Sequence, residues 1–212
     1  MAMGLKQKTT RALISQFHKP HGLGGRAADW VMAHRGSNRK RNVWAVGLLD
    51  VQPADRVLEI GFGPGIAIRE LARHATRGFV VGVDHSELMV RRASRRNAAA
   101  VRAGRVELRL GNAEALPEFD APFDRILAVN SLMFWDEPVT RLKELRGLLR
   151  PRGRIAIAFQ PRGPGSTDET AARAGEDIAA HFATAGFTDV RVETLALKPT
   201  AVVCVLGVSP GP

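Results

Sequence analysis

Gly61, Gly63 and Gly65 stand at alternate positions in "VLEIGFGPGIAIRELA", Val57 to Ala72, and the carboxylate of Glu59 lies two residues ahead of the first. Glycine at such positions permits positive φ and lets a ligand approach the backbone with no Cβ in the way. The turn joins an apolar run, "RVLEI", to a helical pattern, "IAIRELARH". Free N–H groups at a helix start suit a carboxylate or phosphate. A second acid, Asp84, ends the run "FVVGVD" roughly twenty residues further on, where such a carboxylate can accept both hydroxyls of a ribose. A dinucleotide would need another glycine three residues after the second, and that position is Ile66. The bland alternative for Asp84 is a cap on the helix beginning at "SELMVRRA".

These residues need a scaffold that puts strand ends beside helix starts. From "DRVLEI" onward, short β-branched runs alternate with helical patterns, which predicts a parallel sheet covered by helices on both faces. Strands are expected near 56–60, 79–83, 105–110, 124–129 and 154–159, and helices near 65–76, 86–99, 137–149 and 168–185. The rhythm then changes. "DVRVETLAL" and "TAVVCVLGV" are separated by Lys198 and Pro199, with no room for a crossover helix, so these two runs are expected to be antiparallel. Before the first strand, Ser37 is a candidate cap for a helix through "NRKRNVWAVGLLD", and Pro53 is expected to end it.

Five parallel strands and a terminal antiparallel hairpin resemble the seven-stranded, Rossmann-like α/β sheet of class I S-adenosylmethionine-dependent methyltransferases. The resemblance covers roughly residues 42 to 208. The run Glu59-Ile60-Gly61-Phe62-Gly63-Pro64-Gly65 is similar to that family's motif I, and "LGNAEALP" to its segment after the third strand. "FDRILAVNSLMFWDEP" and "LKELRGLLRPRGRIAIAF" resemble its fourth and fifth strand regions. The resemblance implies S-adenosylmethionine as cofactor and S-adenosylhomocysteine as product. Glu59 and the three glycines would shape the methionine pocket, Asp84 hold the ribose, and His85 line the adenosine. Asn112, standing where Asp is common, would accept from the adenine amine, with Ala113 supplying an N–H and Glu114 a partial substitute for the missing acid. The Asn130 carbonyl would face the methionine end. Arg41 and Asn42 could reach the methionine carboxylate, or belong to a basic helix face in water.

The loop after Asn130 bears on the acceptor. It lacks the Asn/Asp-Pro-Pro-aromatic signature of enzymes that methylate nucleobase amines. Relatives acting on small molecules often read "N-x-L-H-H" here, whereas this chain has Met133 and Phe134, with Trp135 next. The three suggest an apolar wall for an uncharged, aromatic or lipid-like acceptor, or simply core. The expected function is metal-free methyl transfer, by in-line displacement, to a small molecule of the ubiquinone-biosynthesis-like type. If a base is needed, His18 and His21 of "FHKPHGLGG" are the candidates, and His34, His74 and His181 read as surface residues.

The chain has 212 residues, 45% hydrophobic and 25% charged, a composition of soluble globular proteins. A single cysteine, Cys204, rules out a disulfide framework, and no run approaches the length of a membrane span. The N-terminus lacks the apolar core of a signal peptide, so cytoplasmic residence is expected. The net charge is +10, and residues 1–54 hold nine Lys/Arg against two Asp/Glu. That imbalance keeps open an RNA methyltransferase, and a lipid-headgroup enzyme docking peripherally on a membrane. A cofactor-binding partner subunit without catalysis is a further alternative. The expected organisation is a basic helical lid over 1–41, the methyltransferase domain over 42–208, and a tail over 209–212.

Overall fold

The computed structural model describes residues 36–211. His18, His21, His34 and most of the expected lid therefore lie outside the described residues. The strands are β1 (Arg56–Ile60), β2 (Phe79–Asp84), β3 (Val106–Leu110), β4 (Phe123–Val129), β5 (Leu149–Phe159), β6 (Thr188–Leu195) and β7 (Val202–Val208). They form one sheet in the order β3-β2-β1-β4-β5-β7-β6. The chain winds outward from β1 through β2 to β3, then crosses back to β4 and β5. The loops leaving β1 and β4 therefore diverge, which opens a crevice at the C-terminal ends of the strands.

The first five strands pair in parallel, and β7 runs antiparallel to both β5 and β6. Only β7 is reversed, so the link from β6 to β7 returns to the same edge as the ends of β1, β2, β4 and β5. The Rossmann-like, mostly parallel sheet matches the expected architecture.

Helices α1 (Gly36–Leu49), α2 (Ile66–His74), α3 (Glu87–Arg96) and α4 (Ala98–Arg102) cover one face, and α5 (Pro138–Leu148) and α6 (Asp168–Thr184) the other. Val57 and Leu127 pack with the first group, while Leu58, Ile60 and Ile126 pack with the second. This alternation follows from the two-residue period of a strand. Each fully buried aliphatic side chain of this kind contributes about 1.5–3 kcal/mol.

Four local expectations need correction. Ser37 does not cap α1 but lies inside it, where its hydroxyl accepts from Arg162 Nη2 at 3.2 Å. The helix ends at Leu49 through Asp50, whose φ is 56°, before Pro53 is reached. The expected helix over 86–99 is two helices, because the Asn97 amide bonds to the Ala93 and Gly65 carbonyls at the break. Strand β5 begins at Leu149 and takes up a bulge, with Arg152 at φ 62°, before its regular pairing with β4 starts at Arg154.

Candidate functional site

The glycine turn leaves β1 and is held from three sides. Gly61 donates its N–H to the Val83 carbonyl at 2.8 Å, and a Cβ there would lie 2.7 Å from that of Ser131. Phe62 is buried, and its ring lies where a Cβ on Gly82 would stand, so a bare backbone on β2 makes room for it. A Cβ on Gly65 would meet Ala93 at 2.7 Å and the Asn97 amide at 2.8 Å. All three glycines have positive φ, from 52° to 75°. Gly63 alone of the three would carry a Cβ into open space, with nothing within 4 Å. Gly61 and Gly65 thus let the turn pack closely, and Gly63 leaves its backbone open on the side where a Cβ would stand.

Asp84 completes the cradle from the neighbouring strand. Its Oδ2 accepts the Gly63 N–H at 2.8 Å and its Oδ1 the Ser86 N–H at 2.9 Å. The carboxylate is buried, and burial raises its pKa against the opposing pull of the two N–H groups and of His85. Each oxygen keeps acceptor capacity beyond these bonds. The His85 ring is more exposed, with Nδ1 3.8 Å from Asp84 Oδ1.

Glu59 sits beneath the turn, 1% exposed, on the face of β1 that packs against α1 and α2. Burial, reinforced by the Asp84 charge and opposed by a backbone hydrogen bond from Ile68, pushes its carboxyl up to about 8. Its Oε2 has no hydrogen-bond partner. A buried carboxyl oxygen without a donor is costly and invites one from a ligand.

Further along the edge, Asn112 is exposed, and its Oδ1 accepts the Glu114 N–H at 3.3 Å. Ala113 is half-buried against the second core. Asn130 adopts φ 55° just after β4, and its Oδ1 accepts the Gln160 N–H at 2.9 Å. Its neighbour Ser131 donates to the Ile60 carbonyl at 3.1 Å and so ties the end of β4 to the start of the glycine turn.

The Met-Phe-Trp stretch does not present one surface. Leu132–Phe134 form a 3-10 turn, with Met133 45% exposed and Trp135 buried among Leu58, Leu142 and their neighbours. Trp135 is a core residue whose buried Nε1 lacks an acceptor. Of the other described histidines, His74 is half exposed beside Glu70, and His181 is half-buried on α6.

The sequence reading missed Ser131, Asn97 and Gln160 as site-building residues. Gln160 follows β5 directly and is almost fully buried. Arg41 and Asn42 are also buried, so they are not a solvated helix face.

Residues 57–153 match the family described as "Methyltransferase domain". The chain is 30% identical over 183 residues to the uncharacterized methyltransferase YdaC of Bacillus subtilis (strain 168), covering 86% of this chain and 98% of that protein. It is 33% identical over 111 residues to O-methyltransferase resE of Aspergillus sclerotiorum, which is 52% of this chain and 41% of that one. Among solved structures, N-methyltransferase NodS from Bradyrhizobium japonicum WM9, in complex with S-adenosyl-L-homocysteine, aligns with a TM-score of 0.66 at 18% identity, covering 85% of this chain and 91% of that chain. That likeness is one of fold.

The open backbone at Gly63, the buried acid beside it and the partnerless Glu59 oxygen suit a ligand carrying both a ribose and an amino acid end. No helix among the described residues is long and apolar enough to cross a membrane. With a relative matched over most of both chains, the protein belongs to the class I S-adenosylmethionine-dependent methyltransferases and uses S-adenosylmethionine as its cofactor.

Proposed function

We propose that the protein methylates a small-molecule acceptor by in-line displacement, without a metal. The observation that carries this reading is a division of polar groups along the strand ends. Glu59, Gly63 and Asp84 gather over β1 and β2, whereas Asn130, Ser131 and Gln160 gather over β4 and β5. The first set would hold the donor: Gly63 and Asp84 at the ribose, Glu59 at the methionine end, and Asn112 and Ala113 toward the adenine. The second set lies next along the crevice and leaves the ends of β4 and β5 for the acceptor.

S-adenosylmethionine supplies a methyl group already activated by its sulfonium. The protein's contribution is then chiefly positioning, worth roughly 7–11 kcal/mol of barrier. Two similar proteins are named as an O-methyltransferase and an N-methyltransferase, which supports methyl transfer and leaves the acceptor atom to experiment.

The test is incubation of the full chain with methyl-labelled S-adenosylmethionine and separate pools of small metabolites, RNA and anionic vesicles. Label in the small-molecule pool is expected. Label confined to RNA would replace this reading with the RNA alternative drawn from the basic N-terminal segment, which the cluster at Arg96 also suits, since the Arg69 and Arg92 charges add to burial in lowering its pKa. That alternative predicts steep loss of binding with salt.

A further inference from the structure

We propose that the acceptor carries an oxyanion, a carboxylate or phosphate, and that the guanidinium of Arg41 binds it. The proposal rests on the small-acceptor reading above and names its substrate class.

The buried positions of α1 are Asn38, Arg41, Asn42, Ala45, Val46 and Leu49, a helical stripe whose second half is apolar and whose first half is polar. Arg41 is 6% exposed. Its Nη1 donates to Gln160 Oε1 at 2.6 Å and its Nη2 to Asn38 Oδ1 at 2.5 Å. Both acceptors are neutral amides, and Arg41 Nε is buried with no acceptor. Gln160 cannot turn away, because its Nε2 donates to the Thr200 carbonyl at 2.7 Å and its backbone N–H to Asn130. The same Oε1 also accepts from Arg162 Nη2 at 2.6 Å. Two guanidinium groups thus converge on one uncharged oxygen.

Two other well-covered arginines have acids as partners: Arg125 meets Asp55 at 3.4 Å, and Arg56 meets Asp120. Among the described residues no acid bonds to Arg41, and burial together with the Arg162 charge lowers its pKa to about 9. Buried charges persist when paired, so a guanidinium held this way calls for an anion that the described residues do not supply. A carboxylate or phosphate suits its planar fork. Gln160, which holds the guanidinium, lies at the end of β5, and β4 stands between β5 and β1, so Gln160 sits on the far side of β4 from the strand that leads into the glycine turn. On the division of polar groups proposed above, that side of β4 belongs to the acceptor, and so does the anion.

The test titrates benzoate and inorganic phosphate, with benzamide as neutral control, into the full chain, free and saturated with S-adenosylhomocysteine. At least one anion should bind, and Arg41→Gln should weaken it tenfold or more while leaving benzamide and S-adenosylhomocysteine unaffected. Arg41→Met, which removes a charge without an acid partner, should melt no lower than wild type in anion-free buffer; a large drop would make Arg41 a structural residue and overturn the proposal. So would binding of neither anion, or anion binding unchanged in Arg41→Gln. Weaker binding of S-adenosylhomocysteine but not of 5′-methylthioadenosine, which lacks the carboxylate, would assign Arg41 to the donor and also overturn it. The two readings fail separately. Anion binding without methylation of any small acceptor would count against the acceptor reading alone. A neutral small acceptor methylated equally well by Arg41→Gln would count against the anion site alone.

Discussion

The carboxylate of Asp84 accepts the backbone N–H of Gly63 at 2.8 Å, so the acid on β2 and the open glycine of the turn after β1 form a single unit. Whatever disturbs one moves the other. Asp84→Asn keeps the shape but removes the charge and one acceptor. Affinity for S-adenosylmethionine should fall by about 1–3 kcal/mol, roughly 5- to 150-fold, as expected when a charged acceptor's hydrogen bonds are lost. Calorimetry measures this directly, and an unchanged dissociation constant would remove Asp84 from the site.

The glycines should separate by function. Gly63→Ala places a methyl in open space at φ 52°, a backbone strain of about 1–2 kcal/mol. It should remain folded and bind the cofactor poorly. Gly65→Ala brings the same strain plus a 2.7 Å approach to Ala93, and its melting temperature should drop further. Thermal melts of both variants decide this; equal melting temperatures would sink the distinction.

Glu59 should make stability fall with pH. Its carboxyl has an ordinary pKa of 4.5 and is pushed up to about 8 in the folded chain. Between those values the folded state holds a proton that the unfolded state has released. The stabilisation is therefore complete below 4.5 and lost as pH rises through 8. Glu59→Gln should abolish that slope and, relative to wild type, gain most at about pH 9, by a few kcal/mol at most. Urea denaturation from about pH 5 to about pH 9 is the measurement; parallel curves for the two proteins would refute it.

Asn97 supports the turn from behind. Its amide donates to the Gly65 carbonyl at 3.1 Å and to the Ala93 carbonyl at 2.9 Å, in a buried position. Asn97→Ala should cost about 1–3 kcal/mol of stability by leaving the Gly65 carbonyl without this donor. Cofactor affinity should weaken as well, since the turn loses its brace. Denaturation and calorimetry on one preparation test both, and a variant as stable as wild type would show that the bond is dispensable.

The parts of the site built from backbone chemistry were legible. A turn that needs positive φ at three alternate positions leaves glycines at a fixed distance from the strand, and Asp84 ends the next apolar run. Asn97, Ser131 and Gln160 left no such trace, because each is a single amide or hydroxyl whose partner lies far away in the chain. The α1 stripe was hidden for another reason. Its buried half-turns carry Asn38, Arg41 and Asn42, residue types that in sequence signal solvent. The Met-Phe-Trp stretch divides between its two readings, wall and core, since successive residues of a 3-10 turn point about 120° apart, and the side chains separate between surface and core.

The reversal of β7 carries a consequence for how such a protein can diversify. Because β6 runs with the other strands, its exit brings Lys198 and Thr200 back to the functional edge, where their carbonyls receive the Gln160 amide. The last hairpin is thus a lever on the β5 end of the crevice, while β1, β2 and β3 stand on the far side of β4. On the proposed division of the crevice, a lineage could lengthen or trim that hairpin and retune what the enzyme accepts, generation after generation, with its donor machinery inherited intact.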